Sequence, residues 1–168
     1  AAAPQEKILK LWEGLGYYTR VRNLQKAAQQ LVQESGGDFP RAFDAVLALR
    51  GVGRYTAGAI TSIAFNVPAA ILDGNVIRVL TRVFGIGENP RDKTTNARLW
   101  ELATGLVRAA QKARFTPEDW FTVSGPCSAL NQSLMELGAL VCTPRSPNCT
   151  ACPLHNDCVA RASGRTES

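Results

Sequence analysis

Apolar and polar positions repeat with a helical period along nearly the whole chain, and no two alternating segments are joined by a hairpin turn. The expected fold class is all-α. Pro4 suits the first turn of a helix whose apolar face is Ile8, Leu9 and Trp12, with Gly14 and Gly16 stopping it. From about Arg20 to Glu34, Val21, Leu24, Ala28, Leu31 and Val32 recur at helical spacing while Arg20, Arg22 and Lys26 hold the polar side, and Gly36-Gly37 ends that helix. Phe43, Val46, Leu47 and Leu49 form a short apolar helix, Gly51-Val52-Gly53 breaks it, and a new helix runs from Tyr55 to Phe65. Pro68 marks a break. Asp73-Gly74-Asn75 then starts a helix through about Val83, Thr94 to Ala110 reads as a longer amphipathic one, and Asn131 to Val141 leads into a cysteine run. Gln111 to Ser128 is polar enough to be a surface connection.

The cysteines change the picture most. Cys142, Cys149, Cys152 and Cys158 form a C-x6-C-x2-C-x5-C run. Four thiolates so close in sequence suit one inorganic centre. A tetrahedral zinc site expects two knuckles of closely spaced ligands, and only the Cys149–Cys152 pair has that spacing, so the run favours a cubane [4Fe-4S] cluster over zinc and over disulfides. Cys127 reads as a small buried apolar residue. His155, the lone histidine, is expected to be exposed rather than ligating.

Lys and Arg exceed Asp and Glu by 19 to 14, a net charge of +5 that invites a polyanionic partner. A cluster with four thiolates lowers this to about +3. No apolar run is long enough for a membrane, 168 residues suffice for one core or two small lobes, and Ala1-Ala2-Ala3-Pro4 suggests a truncated piece of a larger protein. Leu49-Arg50-Gly51-Val52-Gly53-Arg54-Tyr55-Thr56-Ala57-Gly58 supplies a tight turn whose following helix N-terminus, flanked by Arg50 and Arg54, suits a phosphate. A plain αα-hairpin with exposed arginines is the alternative.

That ten-residue string resembles the helix-hairpin-helix of the DNA glycosylase superfamily that includes endonuclease III. Three further segments, Trp12-Glu13-Gly14-Leu15-Gly16-Tyr17-Tyr18, Ile71-Leu72-Asp73-Gly74-Asn75-Val76 and Asn131-Gln132 through Leu137-Gly138, resemble the adenine DNA glycosylase (MutY) family in the same order. The resemblance implies a partial six-helix lobe over residues 1–67 and a helical [4Fe-4S] lobe over 68–168. It implies a monomeric base-excision enzyme that flips adenine out of duplex DNA containing A:8-oxoguanine or A:G mispairs and hydrolyses its N-glycosidic bond. Asp73 matches the family's catalytic aspartate, and Asn75 a residue that hydrogen-bonds near it. Tyr55 stands where strand-cutting relatives carry a Schiff-base lysine, implying a monofunctional glycosylase in which the Tyr55 hydroxyl supports the active-site carboxylate. Leu15 and Tyr17 match residues inserted into the base stack, Gly51, Val52 and Gly53 with the two arginines match the DNA-binding hairpin, and Tyr18 is expected to pack in the core. Arg145 and Arg161 are candidate phosphate contacts.

The chain departs from the family in three places. The family's general-acid glutamate lies on a helix upstream of the matched segments, Glu6 and Glu13 do not fill that role, and such catalysis is commonly worth ~10^2 to 10^4 in rate, so an impaired fragment is expected. The C-terminal 8-oxoguanine-sensing domain has no counterpart, and Arg50 replaces the usual proline before the first hairpin glycine. The rival expectation is a noncatalytic DNA-binding iron–sulfur module in which Asp73 only caps its helix. A bacterial cytoplasm is the expected location, with nucleus or mitochondrion as the alternative.

Overall fold

The computed structural model describes residues 1–113 and 125–166. Every regular element among them is helical. In chain order these are α1 (Gln5–Leu11), α2 (Tyr18–Ser35), α3 (Phe43–Leu47), α4 (Arg54–Phe65), α5 (Gly74–Phe84), α6 (Lys93–Gln111), α7 (Pro126–Glu136), a π turn (Leu137–Val141) and α8 (Val159–Ala162). The predicted periodicities each find a helix, and the all-α expectation holds for the described residues. Two compact units emerge, Ala1–Ala57 and Gly58–Ser168, with the division falling inside α4.

In the first unit, α1 packs on α2. Val21, Ala27, Val46 and Leu49 are buried, but of the apolar face expected on α2 only Val21 is, Ala28 and Leu31 being half-buried and Leu24 and Val32 exposed. Gly36, in the left-handed region at φ +64°, closes α2. A side chain there would be strained, which is why the helix stops where the paired glycines stand.

The second unit is built around α5, whose Val76, Val79 and Leu80 join Leu99, Ala103 and Val107 of α6 and Cys127 and Leu134 of α7 in one core. Full burial of such side chains contributes about 1.5–3 kcal/mol each for the large aliphatics. The polar connection expected at Gln111 to Ser128 is corrected in part. Residues 114–124 lie outside the described residues, but Pro126, Cys127 and Ser128 open α7, with Cys127 and Ser128 fully buried. Asn66 explains the start: its Oδ1 accepts the main-chain N–H groups of Cys127 at 2.9 Å and Ser128 at 3.3 Å, capping α7 from the far end of α4. Asn131 then ties α7 to the same region, donating to Ser62 Oγ at 2.8 Å and to the carbonyl of Ala69 at 2.9 Å. Cys127 is the buried residue its context suggested, and burial pushes its thiol pKa up.

Candidate active site and iron–sulfur centre

Asp73 is the N-cap of α5. Its Oδ1 accepts the Val76 N–H at 2.8 Å, and its Oδ2 accepts from Asn75 Nδ2 at 3.2 Å. The carboxylate is half-buried at a helix N-terminus, where the exposed amides present positive potential to an anion. Capping therefore occupies one acceptor position on each oxygen and leaves lone pairs on both.

The amide of Asn75 is oriented by Arg78. Arg78 Nη2 donates to Asn75 Oδ1 at 2.8 Å, which turns the amide nitrogen toward Asp73. The same guanidinium donates through Nε to the Cys142 carbonyl at 2.7 Å and through Nη2 to the Gly138 carbonyl at 2.5 Å. A continuous hydrogen-bonded path thus runs from the Asp73 carboxylate to the main chain of the first cysteine of the run.

The π turn makes this path possible. Cys142 N–H reaches back five residues to the Leu137 carbonyl at 2.6 Å, and such widened turns gather at functional sites. A Cβ on Gly138 would lie 2.7 Å from Asn75 Cβ and 2.8 Å from the Asn75 carbonyl oxygen, so only glycine lets the turn approach α5 this closely. The Leu137-Gly138 pair was visible in sequence, but its partner was not.

Cys142, Cys149, Cys152 and Cys158 are all free, half-buried and gathered on the wall of one pocket with Val79, Arg82 and His155. Among the described residues no three Cys, His, Asp or Glu side chains converge as a lone metal ion would require. Four thiols ringing a shared pocket instead suit a larger centre that separates its ligand sulfurs, and the buried, unpartnered Nε of Arg82 on that wall suits an anionic one. His155 is not exposed as expected: it is half-buried, with Nδ1 2.8 Å from the Cys152 carbonyl. Arg145 and Arg161 are exposed.

The hairpin lies in the first unit. Gly51 adopts φ +76° with the Asn23 side chain against the place a Cβ would take, and the Arg50 N–H is held by Gln30 Oε1 at 3.1 Å. No side chain or main chain lies within 4 Å of the Cβ position at Gly53, and Arg50, Arg54 and Tyr55 are exposed, Val52 half-buried. The Trp12–Tyr17 loop is pinned by Trp12 Nε1 donating to the Gly16 carbonyl at 3.0 Å. It displays Leu15 at 64% and Tyr17 at 82% exposure, Tyr17 in the left-handed region at φ +46°. Tyr18 is 40% exposed rather than a core residue, because it opens α2 beside this loop.

Sequence reasoning missed Arg78, Arg82, Asn23 and Gln30. The signal for the first two was present: basic residues at i and i+4 interrupt the apolar face of α5.

Arranged this way, the chain carries a carboxylate at a helix N-terminus, a glycine-rich hairpin and a four-thiol pocket. The family model of HhH-GPD superfamily base excision DNA repair proteins matches residues 1–104, and that of the iron-sulfur binding domain of endonuclease III matches residues 142–158. The chain belongs to the HhH-GPD superfamily of base excision DNA repair proteins. It is 46% identical over 161 residues to the adenine DNA glycosylase of Rattus norvegicus, covering 95% of this chain and 28% of that protein. Against the adenine DNA glycosylase of Buchnera aphidicola subsp. Acyrthosiphon pisum it is 36% identical over 162 residues, covering 96% and 42%. It thus spans less than half the length of these curated relatives. A thermostable thymine-DNA glycosylase structure superposes with a TM-score of 0.76 at 32% identity, covering 96% of this chain and 67% of that one. A non-covalent endonuclease III–DNA complex gives 0.70 at 28%, covering 99% and 69%. The four cysteines fall within the iron-sulfur match, and the cofactor is a [4Fe-4S] cluster.

Proposed function

We propose that this chain is the core of a monofunctional adenine DNA glycosylase acting on adenine opposite 8-oxoguanine or guanine. The observation that carries the reading is the Asp73 carboxylate, fixed on one side by the Val76 amide and on the other by Asn75. Adenine leaves with the electron pair of its N-glycosidic bond and takes up a proton, while positive charge develops on the sugar. Asp73 stabilises that charge, and water completes the hydrolysis. Asn75 and Arg78 hold the carboxylate in place. Tyrosine cannot form an imine, so Tyr55 at the position of the strand-cutting relatives' lysine implies that the DNA strand is not cut by β-elimination.

The hairpin amides after Gly51, with Arg50 and Arg54, grip the phosphate backbone, and Leu15 and Tyr17 fill the stack left by the flipped nucleotide. The exposure of Leu15 and Tyr17 supports that role. The cluster, when bound, supplies iron–sulfur bonds that fasten the 142–158 loop, and the residues around it do no redox work in hydrolysis. We place the enzyme with the DNA it repairs, in a nucleoid, nucleus or mitochondrion, and as a monomer. No helix among the described residues is long and apolar enough to cross a membrane.

The test is single-turnover adenine release from a duplex containing A:8-oxoguanine, followed by alkali to reveal the abasic site. Adenine release with strand breaks only after alkali is expected. Strand cleavage without alkali together with a borohydride-trapped adduct overturns the monofunctional reading, and release undiminished in Asp73→Asn makes Asp73 a helix cap only.

A further inference from the structure

Arg82 is 6% exposed, an arginine inside the apolar face of α5 between Val79 and Val83. Its Nη1 donates to Cys142 Sγ at 3.3 Å, to the Cys142 carbonyl at 3.4 Å and to the Thr143 carbonyl at 2.7 Å, while Nη2 reaches the Pro144 carbonyl at 3.2 Å. Nε is buried with no partner. None of these partners is a carboxylate. A guanidinium is a cation, and burying a cation without an anion is strongly unfavourable. The pocket that Arg82 lines holds four thiols, and a cubane in its 2+ state with four thiolates carries a net charge of about −2.

We propose that Arg82 is the internal counter-cation of the iron–sulfur centre. It pairs with the anionic cluster through the Cys142 sulfur and keeps its Nε–H for a further N–H···S bond, while its remaining donors brace the carbonyls of residues 142–144. Cys158 Sγ lies 3.5 Å from the Arg82 main-chain oxygen, so the last cysteine of the run stands beside the same residue. Arg78 differs in kind: it is half-buried and its donors all go to oxygens. Arg82 is accordingly a positioning residue for the cofactor with an electrostatic signature. A cation and N–H···S bonds favour the more reduced, more negative state of the cluster, so Arg82 raises its reduction potential.

The inference rests on the [4Fe-4S] assignment, which the iron and acid-labile sulfide content of the parent protein tests separately. In the cluster-loaded protein, Arg82→Gln is expected to release iron to a ferrous chelator about 10–100-fold faster, the range seen when groups supporting metal ligands are lost. Its cluster couple, read by redox titration, shifts to more negative potential. Parent-like iron release overturns the proposal. Faster release with an unmoved potential also overturns it, since a mere strut of the loop would behave so. If Arg82→Gln yields no soluble protein, Arg82→Lys decides: it keeps the charge and loses the fork, so release accelerates while the potential falls less than a neutral residue would allow. Parent-like release in Arg82→Lys overturns the proposal.

Discussion

Asp73→Asn separates the two jobs that the carboxylate does in this geometry. Asparagine keeps an Oδ1 acceptor for the Val76 N–H and is as good an N-cap as aspartate, but its Nδ2 replaces the oxygen that accepts from Asn75, so stability should fall by that one hydrogen bond, about 0.5–1.5 kcal/mol. The charge, however, is lost. A carboxylate about 4 Å from a developing unit positive charge, at an effective dielectric of about 20, gains about 4 kcal/mol. At 1.36 kcal/mol per decade this corresponds to about a 10^3-fold slower chemical step. Half-burial of Asp73 is what keeps the effective dielectric below that of water.

The assay pairs single-turnover adenine release with thermal unfolding. The expected outcome is a rate lower by about three decades with a melting temperature within about 4 °C of the parent. Asp73→Ala should lose the rate and about 2 kcal/mol of stability, since it removes the cap as well as the hydrogen bond from Asn75. A rate within threefold of the parent in Asp73→Asn refutes the electrostatic role, and an equal loss of stability in both variants refutes the claim that asparagine preserves the cap.

Gly138→Ala places a Cβ against Asn75, and overpacking of this kind costs about 1–3 kcal/mol; the melting temperature should drop by several degrees and adenine release with it, whereas an unchanged melting temperature would show that the π turn has room to spare. Tyr17→Gly should move two quantities in opposite directions: relief of the left-handed backbone raises stability by about 1 kcal/mol, and loss of a stacking ring weakens duplex binding by about 1–3 kcal/mol, both measurable by denaturant titration and fluorescence anisotropy. Arg54→Gln should weaken binding to every duplex alike and reduce the steepness of the salt dependence by about one counter-ion, read from affinity at several salt concentrations. Burial raises the folded thiol pKa of Cys127 above its ordinary 9.0, so the unfolded state loses its proton first, stability is unaffected below that pH and falls as pH rises above it; Cys127→Ala should flatten this alkaline limb in denaturant titrations.

What the sequence made legible is what local chemistry encodes. Asp73-Gly74-Asn75 announces a cap because a short acceptor side chain before a helical run has few other uses, and the cysteine spacing announces a shared centre because nothing else needs four thiols there. The start of α7 was illegible for the opposite reason. Its cap is Asn66, about sixty residues away in sequence, and no window around Pro126 contains that acceptor. The π turn was hidden likewise, since its register depends on Gly138 meeting Asn75. His155 was expected to be exposed because four cysteines complete a ligand set without it, yet the fold of the cysteine loop turns it onto the pocket wall.

Arg78 and Arg82 show how these long-range contacts bind the cofactor region to the carboxylate. Helical periodicity treats both as breaks in an apolar face, but each is placed one turn from the other so that both guanidiniums reach the carbonyl of Cys142. Arg82 faces the sulfur side of that residue; Arg78 faces the carbonyl side and carries the contact on to Asn75 Oδ1. The amide of Asn75 can present only one end to Asp73, and Arg78 decides which. The cysteine run and the carboxylate are thus joined by main-chain and side-chain hydrogen bonds, from the Cys142 carbonyl to Arg78, from Arg78 to Asn75 and from Asn75 to Asp73.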